Sequence, residues 1–136
     1  AEGAWRLAGI LGECKGLVHL DLSSNFFGNE GANNLAKGLI GCKTLTALHL
    51  SANEIGGEGA CSLAEALGES RALVVLDLYK NSVNDAGAQR LAKVLRECKA
   101  LNVLELSFNS IGNVGAVSLG EVVRGCTALA QLNLKD

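Results

Sequence analysis

Apolar residues in this chain follow two alternating rhythms. In the stretch that begins at Leu17, Leu20 and Leu22 alternate with Asp21, the period of a strand with one buried side. Further on, Ala32, Leu35, Ala36 and Leu39 line one face of a helix. The pair of rhythms then returns. LVHLDLSSN starts at Leu17, LTALHLSAN at Leu45, LVVLDLYKN at Leu73, LNVLELSFN at Leu101 and LAQLNLKD at Leu129, each 28 residues after the last. The helical block keeps step, as GANNLAKGL from Gly31, GACSLAEAL from Gly59, GAQRLAKVL from Gly87 and GAVSLGEVV from Gly115; GAWRLAGIL from Gly3 opens the chain. All 24 leucines fall in three strand slots or two helix slots, which excludes coincidence.

A strand–helix unit of this size buries its apolar side only against a neighbour, so the units must stack. The pattern predicts an α/β solenoid, a right-handed βα superhelix with a concave parallel sheet and convex helices. Residues 1–16 form a half-repeat, 17–44, 45–72, 73–100 and 101–128 the full repeats, and 129–136 a partial one, in a single domain. The five block glycines are expected to begin the helices, with Gly28, Gly56 and Gly112 in a turn slot. Alanine in the helix slots is expected to hold the helices close to the sheet. Glu30, Glu58 and Asp85 suit the positive ends of the helix dipoles, and Lys15, Lys43, Arg71 and Lys99 the negative ends.

Composition narrows the function classes. A chain 49% hydrophobic and 19% charged is too apolar for disorder, and a net charge of −2 gives no bulk attraction to nucleic acid or anionic membrane. No apolar run approaches the ~20 residues that span a bilayer, so no membrane partner is expected. The lack of methionine suggests a fragment or processed product. Of five cysteines, Cys14, Cys42, Cys98 and Cys126 share one slot, which Ser70 fills in the remaining repeat. That spacing holds no metal, and small buried side chains account for it. Neither metal nor cofactor is expected. Five thiols with no pairing pattern point to a reducing, cytoplasmic compartment.

LxxLxLxxN followed by I-G-x-x-G-A-x-x-L-A-x-x-L resembles the leucine-rich repeat of the ribonuclease-inhibitor-like subclass, over essentially the whole chain. Ribonuclease inhibitors, NOD-like receptors and Ran GTPase-activating proteins share that subclass. A constant 28-residue unit, with Asn in its slot every time, is more similar to the NOD-like receptor repeats than to the alternating repeats of ribonuclease inhibitors. The resemblance implies a non-catalytic scaffold that binds a protein partner on its concave sheet. It leaves open a self-assembling element, or part of a larger array of receptor or GTPase-regulator type.

The asparagines Asn25, Asn53, Asn81 and Asn109 are expected to form a structural ladder, their amides serving the turn after each strand. The variable positions between strand leucines should face outward on the concave sheet. There Val75, Val103, Tyr79 and Phe108 are expected to form an apolar patch rimmed by Asp77, Glu105, His49 and Lys80, the make-up of a binding hot spot. Asp21 joins this face in the row Asp21, His49, Asp77. The row is read as partner-binding, because a flat sheet offers acid–base chemistry neither cleft nor nucleophile. Trp5 and Phe26 fill slots that are otherwise polar or small, and mark a packing adjustment or a contact to another chain. The open ends of the solenoid, including Leu132 and Leu134, allow self-association.

Overall fold

The computed structural model describes residues 2–136, in which helix and strand alternate five times. The elements are α1 (Glu2–Leu11), β1 (His19–Asp21), α2 (Gly28–Leu39), β2 (Ala47–His49), α3 (Gly57–Leu67), β3 (Val75–Asp77), α4 (Asp85–Leu95), β4 (Val103–Glu105), α5 (Asn113–Gly125) and β5 (Gln131–Asn133). The strands form one parallel sheet in chain order. Leu20, Leu48, Leu76, Leu104 and Leu132 stand in register across it, each 28 residues from the next. Each helix packs against the helices before and after it. The fold is an α/β leucine-rich solenoid, and Leu48, Leu50, Leu76, Leu78 and Leu104 meet Leu35, Leu63 and Leu91 between its two layers. Burial of each such leucine contributes on the order of 2 kcal/mol. No helix among the described residues is long and apolar enough to cross a membrane.

The block glycines do not begin the helices. Helices α2 to α5 start two or three residues earlier, and Gly59, Gly87 and Gly115 lie where one helix touches the previous one, whereas Gly31 faces the side chain of Phe27. A Cβ on Gly59 would stand 2.9 Å from that of Ala32, one on Gly87 3.1 Å from that of Ala60, and one on Gly115 3.0 Å from that of Ala88. Small residues thus set the separation between helices, as well as their approach to the sheet. The turn slot is not uniform either. Gly28 has φ +58°, where glycine is favoured, whereas Gly56 and Gly112 have φ −89° and −91°.

Two helix starts, those of α3 and α5, are capped from the preceding repeat. The Oδ1 of Asn29 accepts from Gly56 N (2.8 Å) and Gly59 N (3.0 Å), and so serves α3. Two repeats later, Asp85 Oδ1 accepts from Gly112 N (2.7 Å) and Gly115 N (2.9 Å), and serves α5. Asp85 therefore supports the helix after its own. Between them the slot holds Gly57, which has no side chain to offer. Helix α4 is instead capped by its own Asn84, whose Oδ1 accepts from Gly87 N at 3.1 Å.

Asparagine amides bind the turns together. Asn53, wholly buried, donates through Nδ2 to the carbonyls of Leu22 (2.9 Å), Leu50 (3.1 Å) and Ser51 (3.2 Å). Its Oδ1 accepts from Asn25 N (3.0 Å) and, at 3.4 Å, Phe27 N. Asn81 Oδ1 likewise accepts from Asn53 N and Ile55 N, and Asn109 Oδ1 from Val83 N. A second ladder runs through the cysteine slot. The thiols of Cys42, Cys98 and Cys126 donate to the carbonyls of Leu11 (3.3 Å), Leu67 (3.8 Å) and Leu95 (2.9 Å) in the repeat before. Ser70, in the same slot, keeps its hydroxyl buried without a partner. Burial raises all three thiols above the usual range, and Cys98 is pushed up to about 11.

Candidate functional site

The side chains between the strand leucines form rows across the sheet. Val75 stands beside Val103, Asp77 beside Glu105, and His49 between Asp21 and Asp77. Tyr79 and Phe108 follow the ends of β3 and β4, and their rings meet edge to face with centroids 5.4 Å apart and planes at 75°. They are 39% and 48% exposed, so this aromatic pair lies on the surface and not in the core. Val75 and Val103, half-buried, lie on the adjoining row.

Much of the charge around the patch is already engaged. Asp77 Oδ1 accepts from Tyr79 N at 2.9 Å, while its Oδ2 accepts from Ser51 Oγ at 2.8 Å and lies 3.4 Å from His49 Nδ1. Glu105 accepts from Ser107 N (2.7 Å) and Asn133 Nδ2 (2.6 Å). Asp21 accepts from both the backbone N–H and the hydroxyl of Ser23, and these bonds hold it below the usual carboxylate range. The carboxylates shape the turns beneath the aromatic residues and keep some acceptor capacity facing outward. His49 also stacks on His19, with ring centroids 5.0 Å apart. Lys80, exposed beside Tyr79, adopts φ +52°. This surface carries stacked apolar area ringed by charge.

Beside the patch runs a groove of about 450 Å³ that the sequence rhythms did not reveal, lined by Ser24, Phe26, Ala52, Glu54, Lys80, Asn81 and Ser82. Its one sequence signal was the aromatic Phe26 in a slot held elsewhere by Glu54 and Ser82. Phe26 is 75% exposed, which excludes a role in packing the core.

The leucine-rich repeat family profile matches residues 14–36, 41–64 and 97–120, more than half of the chain. The chain is a leucine-rich repeat protein. Comparison with curated protein sequences gives no match. Among solved structures, the tropomodulin C-terminal domain of Caenorhabditis elegans is similar with a TM-score of 0.83, covering 98% of this chain and 83% of that one at 16% identity. Leiomodin-1 Actin-Binding Site 2 is similar with a TM-score of 0.77, covering 98% and 78% at 14% identity. At that identity the likeness shows the fold alone. In a leucine-rich repeat protein the leucines and asparagines are framework, so individuality lies in the residues the frame presents, here Tyr79, Phe108 and their surroundings.

Proposed function

We propose that this leucine-rich repeat array is a non-catalytic recognition module that binds a protein partner on its concave sheet. The observation that carries this reading is the exposed edge-to-face pair of Tyr79 and Phe108 beside Val75 and Val103. His49, Asp77, Lys80 and Glu105 border the pair, with Asp21 farther along the same row, and select partner charge. Two aromatic anchors held by their own contact lose little conformational freedom on binding, which favours them as hot spots. The constant 28-residue unit supports placement in the ribonuclease-inhibitor-like subclass, and five free cysteines support a reducing, cytoplasmic setting.

Actin is the first partner to test, because Leiomodin-1 Actin-Binding Site 2 has this fold. Co-sedimentation and affinity capture with wild type and the Tyr79→Ala/Phe108→Ala variant side by side test the face itself. Two hot-spot truncations should weaken binding by roughly a hundredfold or more, with the thermal midpoint nearly unchanged. Undiminished binding by the double variant overturns the assignment.

A further inference from the structure

The groove beside the aromatic pair lies along a run of unusual backbone. Ser24, Ala52, Lys80 and Phe108 share a slot and are all left-handed, with φ between 52° and 61°. Two residues on, Phe26 (φ +54°) and Glu54 (φ +58°) are left-handed as well. Their counterparts Ser82 and Ser110 are not; they form parallel bridges with Gly56 and Asn84. A left-handed non-glycine residue costs on the order of 1 kcal/mol or more, and an aromatic one is rarer still. Hydrogen bonds from Asn25 N, Phe27 N and Gly28 N to Asn53 hold this turn, and the ring of Phe26 projects into solvent as one wall of the groove. The small side chains of Ser24 and Ala52 line the space beside it. Glu54 and Lys80 also line it, and neither belongs to an ion pair among the described residues.

We propose that this groove is a second subsite of the recognition face, built to take one apolar side chain from an extended segment of a protein partner whose neighbouring apolar side chain rests on Tyr79 and Phe108. The spacing supports an extended segment. From Ala52 to the midpoint between Tyr79 and Phe108 is one and a half strand intervals, about 7 Å at the usual strand separation. Side chains at i and i+2 of an extended chain share one face and also lie about 7 Å apart. Glu54 and Lys80 then receive a basic and an acidic residue flanking the apolar pair. The inference rests on the concave-face reading above, and its test separates the two.

The probes are blocked synthetic hexapeptides with two leucines at spacings of one, two or three, flanked by one lysine and one aspartate. A stabilised helical peptide with leucines at i and i+4 is added for comparison. Binding is read from amide shifts of the ¹⁵N-labelled chain. The spacing of two should bind best and should move Ser24, Ala52 and Lys80 together with Tyr79 and Phe108. Phe26→Ala and Phe108→Ala should each weaken it by about tenfold, as hot-spot truncations do. Both side chains are exposed, and unchanged melting curves establish that the variants fold. Sensitivity to Phe108→Ala without sensitivity to Phe26→Ala overturns the groove and leaves the aromatic patch standing. Preference for the helical peptide, or for a spacing of one or three, overturns the extended segment. No shift with any peptide overturns the inference outright, while the concave face remains answerable to the double variant and a folded partner.

Discussion

The side-chain oxygen of Asn84 occupies the space that a side chain at Gly57 would fill. The pair divides one task, capping α4, which the neighbouring repeats assign to the other position, through Asn29 and Asp85. Gly57→Ala should displace Asn84 and destabilise the chain by about 1 kcal/mol, the usual worth of an N-cap. Gly57→Asp combined with Asn84→Gly reproduces the arrangement of Asp85 and Gly112, and should return close to wild-type stability. Denaturant melts of the single and double variants, read as a cycle, check the coupling.

The asparagines are equivalent in sequence but not in weight. Asn53→Ala removes the acceptor of Asn25 N and Phe27 N and one of the two amide donors to each of the carbonyls of Leu22 and Leu50, at a wholly buried position, and should cost about 2 kcal/mol or more. Asn25, exposed, donates only to Leu22 and Ser23, so Asn25→Ala should cost about 1 kcal/mol. Chemical denaturation of the two variants measures the gap directly.

Ser70 interrupts the thiol ladder. Sulfur is larger than oxygen and its bond to carbon longer, so a thiol in this slot reaches the carbonyl of the previous repeat where a hydroxyl does not. Ser70→Cys should therefore stabilise the chain, by about 1 kcal/mol, by replacing an unpartnered buried hydroxyl. A higher thermal midpoint under reducing conditions is the expected result.

The same ladder makes stability fall in alkali. Burial keeps Cys98 protonated in the folded chain up to about 11, whereas an unfolded thiol ionises near 9.0. The unfolded state thus loses protons first. The stability contributed is fully present below pH 9 and is lost as pH rises toward 11. Cys42 and Cys126 act in the same direction. The thermal midpoint of wild type should drop more steeply over this window than that of Cys98→Ala, in which lysine and tyrosine titration is retained.

How much of this was legible beforehand depends on whether a position repeats. The leucine slots name the strands, the helices and their stacking, because burial at a fixed interval leaves a fixed residue type. The outward rows follow from the same alternation, which is why Tyr79 and Phe108 are legible as neighbours. Asn29, Gly57 and Asp85 share a slot but differ in kind, and periodicity gives no sign that a cap crosses to the next helix. Position alone therefore assigns Asp85 to the dipole of its own helix, whereas its carboxylate serves α5. The groove was hidden for another reason: it arises from left-handed backbone at Phe26 and Glu54, which no apolar pattern records. The true helix starts are not visible in the pattern because glycine near a helix N-terminus reads as punctuation, while the role of Gly59, Gly87 and Gly115 is close approach between helices.

The capping arrangement also decides where this array can be shortened. Every ladder is offset by 28 residues, so excising one period anywhere preserves the register of the leucines. The phase of the cut still matters. Removing 57–84 joins Gly56 to Asp85 and leaves Asn29 facing the amides of Gly56 and Gly87, a complete cap. Removing 45–72 sets Asn29 against Asn84, two side chains competing for one helix start. The repeats are interchangeable in their leucines and not in their caps, so a viable deletion or duplication has permitted breakpoints.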